Sequence, residues 1–152
     1  MKKRFTAVFF VFILVFSLCV NVSAAAQSKE ENVIYFADGS YVTITLEEIG
    51  ARASGSKTGK KTYTYTDSNG EASWQAVLSG TFTYTGTSAT CTASDCDITI
   101  YESVWYVVSN TPAKSSNVAS VALTMGRKFL GITIEKKNYT WSITCDKDGN
   151  LS

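Results

Sequence analysis

Histidine is absent from the 152-residue chain, proline occurs once, and charged residues make up only 18% of it. The first absence removes Ser-His-Asp and Cys-His nucleophilic schemes, and with them zinc, copper or iron sites built on imidazole. No cofactor is therefore expected. The single proline, Pro112, and the scarcity of charge exclude a mucin-like stalk or a solvated linker, because Tyr, Phe, Val and Ile are plentiful. No basic stripe points to nucleic acid, and no amphipathic basic helix points to a membrane surface. What is abundant is the composition of β-strands with Thr and Ser on their wet faces.

The N-terminus reads as an export signal. Met1-Lys2-Lys3-Arg4 is a compact positive region, Phe5 to Val22 is an apolar run, and Ser23-Ala24-Ala25-Ala26 supplies small residues before a polar stretch. That order is the signature of a cleavable signal helix, with cleavage after Ala26 preferred over Ala24. The apolar run also approaches the ~20 residues that span a bilayer, so an uncleaved N-terminal anchor is the alternative. Lipidation at Cys19 is disfavoured because Leu18, not a small residue, precedes it. Loss of Lys2, Lys3 and Arg4 with the signal turns a net charge of +1 into −2. The expected product is secreted, without stable membrane insertion after cleavage, and residues 27–152 are long enough for one self-sufficient core.

Period-2 alternation dominates that remainder. Trp74, Ala76, Leu78, Gly80, Phe82 and Tyr84 share one parity, so one face of this strand is buried and the other solvated. Gly80, in its middle, marks a bend or a close approach by another backbone. Val33–Phe36 and Tyr41–Leu46 flank Asp38-Gly39, which predicts a hairpin. Residues 54–61 read as a flexible loop. Thr62–Thr66 alternates and turns at Asp67-Ser68-Asn69-Gly70 into the Trp74 strand. Asp97 to Ser109 holds one long strand or two short ones split near Glu102-Ser103. Residues 110–117 read as a polar loop. Ala119, Val121, Leu123 and Met125 share a face until Gly126-Arg127-Lys128 breaks the strand, and Tyr139, Trp141, Ile143 and Cys145 share another.

Eight to ten short strands and no convincing helix predict an all-β, antiparallel two-sheet sandwich, Ig-like or jelly-roll-like, with a small β-barrel as the alternative. The expected division is a signal peptide over 1–26, an N-terminal hairpin over 27–50 that could be detachable, and a β-sandwich domain over 51–152. Once Cys19 is removed, Cys91, Cys96 and Cys145 remain. In an oxidising compartment one disulfide and one spare thiol are expected. Parity favours Cys91–Cys145, ahead of Cys96–Cys145 and Cys91–Cys96; its loop would contribute roughly 4 kcal/mol in the chain-entropy account.

Little else carries chemistry. Asp95, Asp97 and Glu102 are the carboxylates from which a glycoside-cleaving pair could be drawn. Asp146-Lys147-Asp148-Gly149-Asn150 and Asp67-Ser68-Asn69-Gly70-Glu71 echo calcium loops but lack the later bidentate Glu and flanking helices, and read as turns. Tyr63, Tyr65 and Tyr106 form the candidate binding surface, since exposed aromatics on a β-face suit sugar rings or protein partners.

The Asp38-Gly39-Ser40-Tyr41 hairpin, the run Leu78 to Cys91 and the tail Thr144 to Ser152 resemble a group of small secreted proteins of Gram-positive bacteria. The resemblance spans nearly all of the cleaved chain and implies export and one domain. It implies no activity and assigns no functional residue. The expectation is a non-enzymatic extracellular domain that binds a protein or glycan, or occupies the cell surface. The alternatives are a carbohydrate-active or lytic enzyme using Asp97 and Glu102, and an inhibitor or immunity protein for an exported partner.

Overall fold

The computed structural model describes residues 27–51 and 55–152. The signal helix and cleavage sites expected over 1–26 lie outside the described residues. Eight strands follow one another: β1 (Gln27–Tyr35), β2 (Tyr41–Ala51), β3 (Ser56–Thr66), β4 (Ala72–Tyr84), β5 (Ala89–Ile100), β6 (Trp105–Ser115), β7 (Val118–Phe129) and β8 (Ile132–Thr144). They form two antiparallel sheets, ordered β1-β2-β3-β4-β5 and β6-β7-β8. Both orders are sequential, so the described strands contain none of the Greek-key crossovers that Ig-like and jelly-roll connectivities use. Among the described residues neither sheet closes on itself, and no barrel is formed.

Alternation decides which side chains lie between the sheets. On β4, Trp74, Ala76, Leu78 and Phe82 are buried, facing Ala119, Val121, Leu123 and Met125 of β7 and Ile143 of β8. A Cβ at Gly80 would stand 2.8 Å from Ala119 Cβ, so the two sheets lie in close contact at this glycine. The hairpin read over 27–50 is β1 and β2. The second of these is paired with β3 from Tyr41 to Ala51, and its Val42 and Leu46 belong to the shared core.

Three of the turns share one construction. Phe36, Asp67 and Asp146 each donate their amide to the carbonyl four residues on, and Gly39, Gly70 and Gly149 donate back to Phe36, Asp67 and Asp146. The glycines have φ of 83°, 87° and 86°, the left-handed region a three-residue hairpin loop requires. Asp67 and Asp146 each accept two backbone amides on Oδ1 and the side-chain amide of Asn69 or Asn150 on Oδ2. Both calcium-like sequences are thus turns whose carboxylates bind their own backbone.

Several expectations are corrected. Residues 56–61, read as loop, are the first half of β3. Their inward position is Gly59, where a Cβ would come 2.5 Å from Leu151 Cδ1, so the apolar filling comes from the C-terminus. Residues 110–115 belong to β6, an edge strand of its sheet, where Pro112 is tolerated. Gly126 interrupts nothing, and β7 runs on to Phe129. The split near Glu102-Ser103 is present, between β5 and β6.

The expected disulfide is not formed: Cys91, Cys96 and Cys145 are all free and buried. Cys91 and Cys145 do point inward, but they approach the β6–β7 turn from opposite sheets. Their amides donate to Ser116 O and Asn117 O respectively. Each thiol donates to a nearby carbonyl instead, Cys91 Sγ to Ala93 O at 3.2 Å and Cys145 Sγ to Asp146 O at 3.4 Å.

Candidate functional site: an apolar hairpin tip

Two of the three tyrosines read as a binding surface lie in the core. Tyr63 and Tyr65 sit at inward positions of β3, 2% and 3% exposed. Tyr63 stacks on Trp141 with centroids 3.8 Å apart, and Tyr65 stacks on Trp74 at 5.4 Å. The alternation that marked them as strand residues gave no indication of which face was wet. Burial pushes the Tyr63 phenol upward in pKa, so its hydroxyl stays neutral. Tyr65 Oη accepts a hydrogen bond from Lys137 Nζ at 2.9 Å, and the ammonium lies 4.8 Å from the Tyr65 ring centroid. Lys137 also reaches Asp38 Oδ2 at 3.3 Å and Glu135 Oε1 at 3.5 Å, which ties β8 to the first turn. Burial lowers the Lys137 pKa, but the Tyr65 hydrogen bond and the surrounding negative charge outweigh it and raise the pKa overall.

The carboxylates stand on open surface. Asp95 and Asp97 are exposed on the outer face of β5, on either side of inward-facing Cys96, and Glu102 lies in the link to β6. None of them lines the open depression of about 400 Å³ beside Tyr84 and Lys147, nor a second one between Thr92 and Lys114. Among the described residues, no group of three or more Cys, Asp or Glu side chains is placed to hold a metal ion. Burial, followed by the charges of Asp97 and Asp95, pushes the Cys96 thiol up to about 11. Burial likewise raises Cys91 and Cys145, so all three are protonated and poorly nucleophilic near neutrality.

Tyr106 is different. It stands half-buried on the outer face of β6, and its ring crosses onto β7 because Gly126 has no side chain. A Cβ there would come 2.4 Å from Tyr106 Cζ. The Tyr106 hydroxyl is 2.7 Å from Thr133 Oγ1, and Lys128 Nζ lies 4.4 Å from the ring centroid. Tyr106 thus braces one face of the β7–β8 hairpin, along Gly126, Lys128 and Thr133.

The other face of that hairpin is bare. The last residue of β7 paired to β6 is Arg127, opposite Trp105, and residues 127–134 are all exposed. Phe129 pairs with Ile132 across a two-residue turn, Leu130-Gly131, with φ of 49° and 80°. Ile134 is the extra residue of a β-bulge opposite Arg127 and Lys128. Phe129, Leu130, Ile132 and Ile134 are 64%, 86%, 69% and 57% exposed. By alternation Phe129 continues the inward series of Val121, Leu123 and Met125. The core face of the sheet therefore overruns the sandwich and projects beyond it.

No family model matches the chain, and no curated protein or solved structure is detectably similar to it. What its own residues define is a two-sheet antiparallel β domain with an apolar, cation-flanked hairpin at one end.

Proposed function

We propose that the chain is an exported, non-enzymatic domain that works by contact, and that the tip of the β7–β8 hairpin is the contacting surface. The observation that carries the reading is Leu130. A large apolar side chain in the left-handed region costs roughly 1–2 kcal/mol over Asn or Gly there, and at 86% exposed it buries little within its own chain. Folding and solubility both argue for a polar residue at that position, whereas a contact made outside the chain accounts for Leu. The order of residues 1–26 supports export, and the protonated thiols and the exposed positions of Asp95 and Asp97 on an open strand face support a role without catalysis.

The test is to express the full chain in an exporting bacterial host and fractionate medium, envelope and cytoplasm. Envelope association of a chain beginning at Gln27, shifted into the medium by Phe129→Ser with Leu130→Ser, is the expected result. Protein confined to the cytoplasm with residues 1–26 intact would overturn export. An unchanged distribution of the double variant would overturn the hairpin as the contact.

A further inference from the structure

Resting on that reading, we propose that the surface the hairpin meets is an anionic lipid bilayer, with Phe129, Leu130, Ile132 and Ile134 dipping into its interface. The shape of the site favours this occupant. The tip is convex and bare at its turn and on the face bearing Phe129 and Ile132, so a protein partner would need a matching cavity, whereas a bilayer interface yields around a projection. Charge points the same way. Arg127, Lys128 and Lys136 follow within ten residues, with Lys137 beside them already tied to Tyr65, Asp38 and Glu135, while residues 27–152 together carry −2. The excess cations flank the apolar tip, where they would meet lipid phosphates as the side chains enter.

Tyr106 holds Lys128 and Thr133 in place, so the hairpin is presented already ordered. The depth is limited. Asp38, Asp67, Glu71 and Glu102 occupy the turns and the link at the same end of the sandwich, and like-charge repulsion keeps the body off the surface. Among the described residues no helix is long and apolar enough to cross a membrane, so the association is peripheral.

The exported protein would be sedimented with vesicles of phosphatidylcholine alone and of phosphatidylcholine with phosphatidylglycerol, at low and high salt. A Leu130→Trp variant reports depth through a blue shift in emission. Binding to the phosphatidylglycerol vesicles should fall about a hundredfold in Phe129→Ser with Leu130→Ser. It should fall about tenfold at low salt in Lys128→Gln with Lys136→Gln, whose residual binding should be less salt-dependent because Arg127 alone remains beside the tip. Because these side chains are exposed, thermal stability should be unchanged in both variants. Absence of binding to either vesicle, or binding indifferent to the tip substitutions, would overturn the proposal. Equal, salt-insensitive binding to both vesicles would overturn the role of charge. If the vesicles fail while envelope retention still depends on Phe129 and Leu130, the contact reading stands and the occupant is a protein or glycan.

Discussion

Gly80→Ala places one methyl group where β4 and β7 lie in close contact, and its effect can be worked from the structure. The new Cβ would stand 2.8 Å from Ala119 Cβ and 2.8 Å from Cε2 and Cζ of Phe82. Ala119 and Phe82 are both fully buried, so neither has solvent to move into. Carbon pairs settle at about 3.5–4.0 Å, so β4 and β7 must part by roughly an ångström. Overpacking of that kind costs about 1–3 kcal/mol. Removing a glycine from a strand interior returns about 0.5–1 kcal/mol. The expected net loss is about 1–2 kcal/mol, a fall in Tm of roughly 3–10 °C for a domain of this size. Thermal and urea unfolding followed by circular dichroism would measure it, with an unchanged m-value. Adding Ala119→Gly should recover part of the loss but not all, because the Phe82 ring still blocks the site. A Gly80→Ala chain as stable as the parent would refute the claim that this glycine sets the spacing of the sheets.

Acid sensitivity should track the turn aspartates. The Ser40 side chain and then its amide hold the Asp38 carboxyl down to about 2. The amide of Glu71 does the same in direction for Asp67, as do the side chain and amide of Asn150 for Asp146. Folded-state values below the unfolded ones mean that stability is full above about pH 4 and drains as pH falls toward 2. Asp38→Asn, Asp67→Asn and Asp146→Asn together should flatten the dependence of Tm on pH in that window, since an amide oxygen still accepts the turn hydrogen bonds; an undiminished slope would count against the assignment. Thiol titration of the cleaved chain should find three reactive cysteines after unfolding and none at neutral pH before it, and a peptide linking 91 to 145 would contradict the free thiols. Gly126→Ala should displace Tyr106 at little global cost, because the ring swings outward. Faster hydrogen exchange at Lys128 and Thr133 would show the brace lost, and unchanged protection would show that Tyr106 does not order the hairpin.

Much of the fold was legible because burial follows parity. Each inward series read on β4, β7 and β8 lies between the sheets, and the Asp-Gly dipeptides mark turns where a positive φ is required. The misreadings share a cause. Residues 56–61 and 110–115 are strands that carry no buried apolar side chain of their own: Leu151 covers Gly59 in the first, and no residue of the second is buried. Single-strand periodicity cannot register an apolar group supplied by a distant segment. The cysteines make the same point for geometry. Parity turned Cys91 and Cys145 inward correctly, but a disulfide also needs two Cβ atoms about 3.5–4.5 Å apart and aimed at each other, which alternation does not encode.

The hairpin tip was hidden by a different ambiguity. Gly126-Arg127-Lys128 looks like punctuation, because glycine followed by two cations commonly ends a strand. Here the glycine accommodates the Tyr106 ring, Arg127 lies 5.9 Å from the Trp105 ring centroid, and Lys128 covers the far side of Tyr106, so each residue has a lateral partner and the ladder continues. Once β7 is allowed to run through, its inward parity reaches Phe129, two residues beyond the last pairing with β6. An apolar residue at an inward position is ordinarily core. What turns Phe129 into a surface is the length of the opposing sheet, a property of two segments together, and the same excess length leaves Ile132 bare beside it. The tip is therefore the inward pattern of the sandwich continued past its own cover, which is why apolar residues persist there without a core to fill.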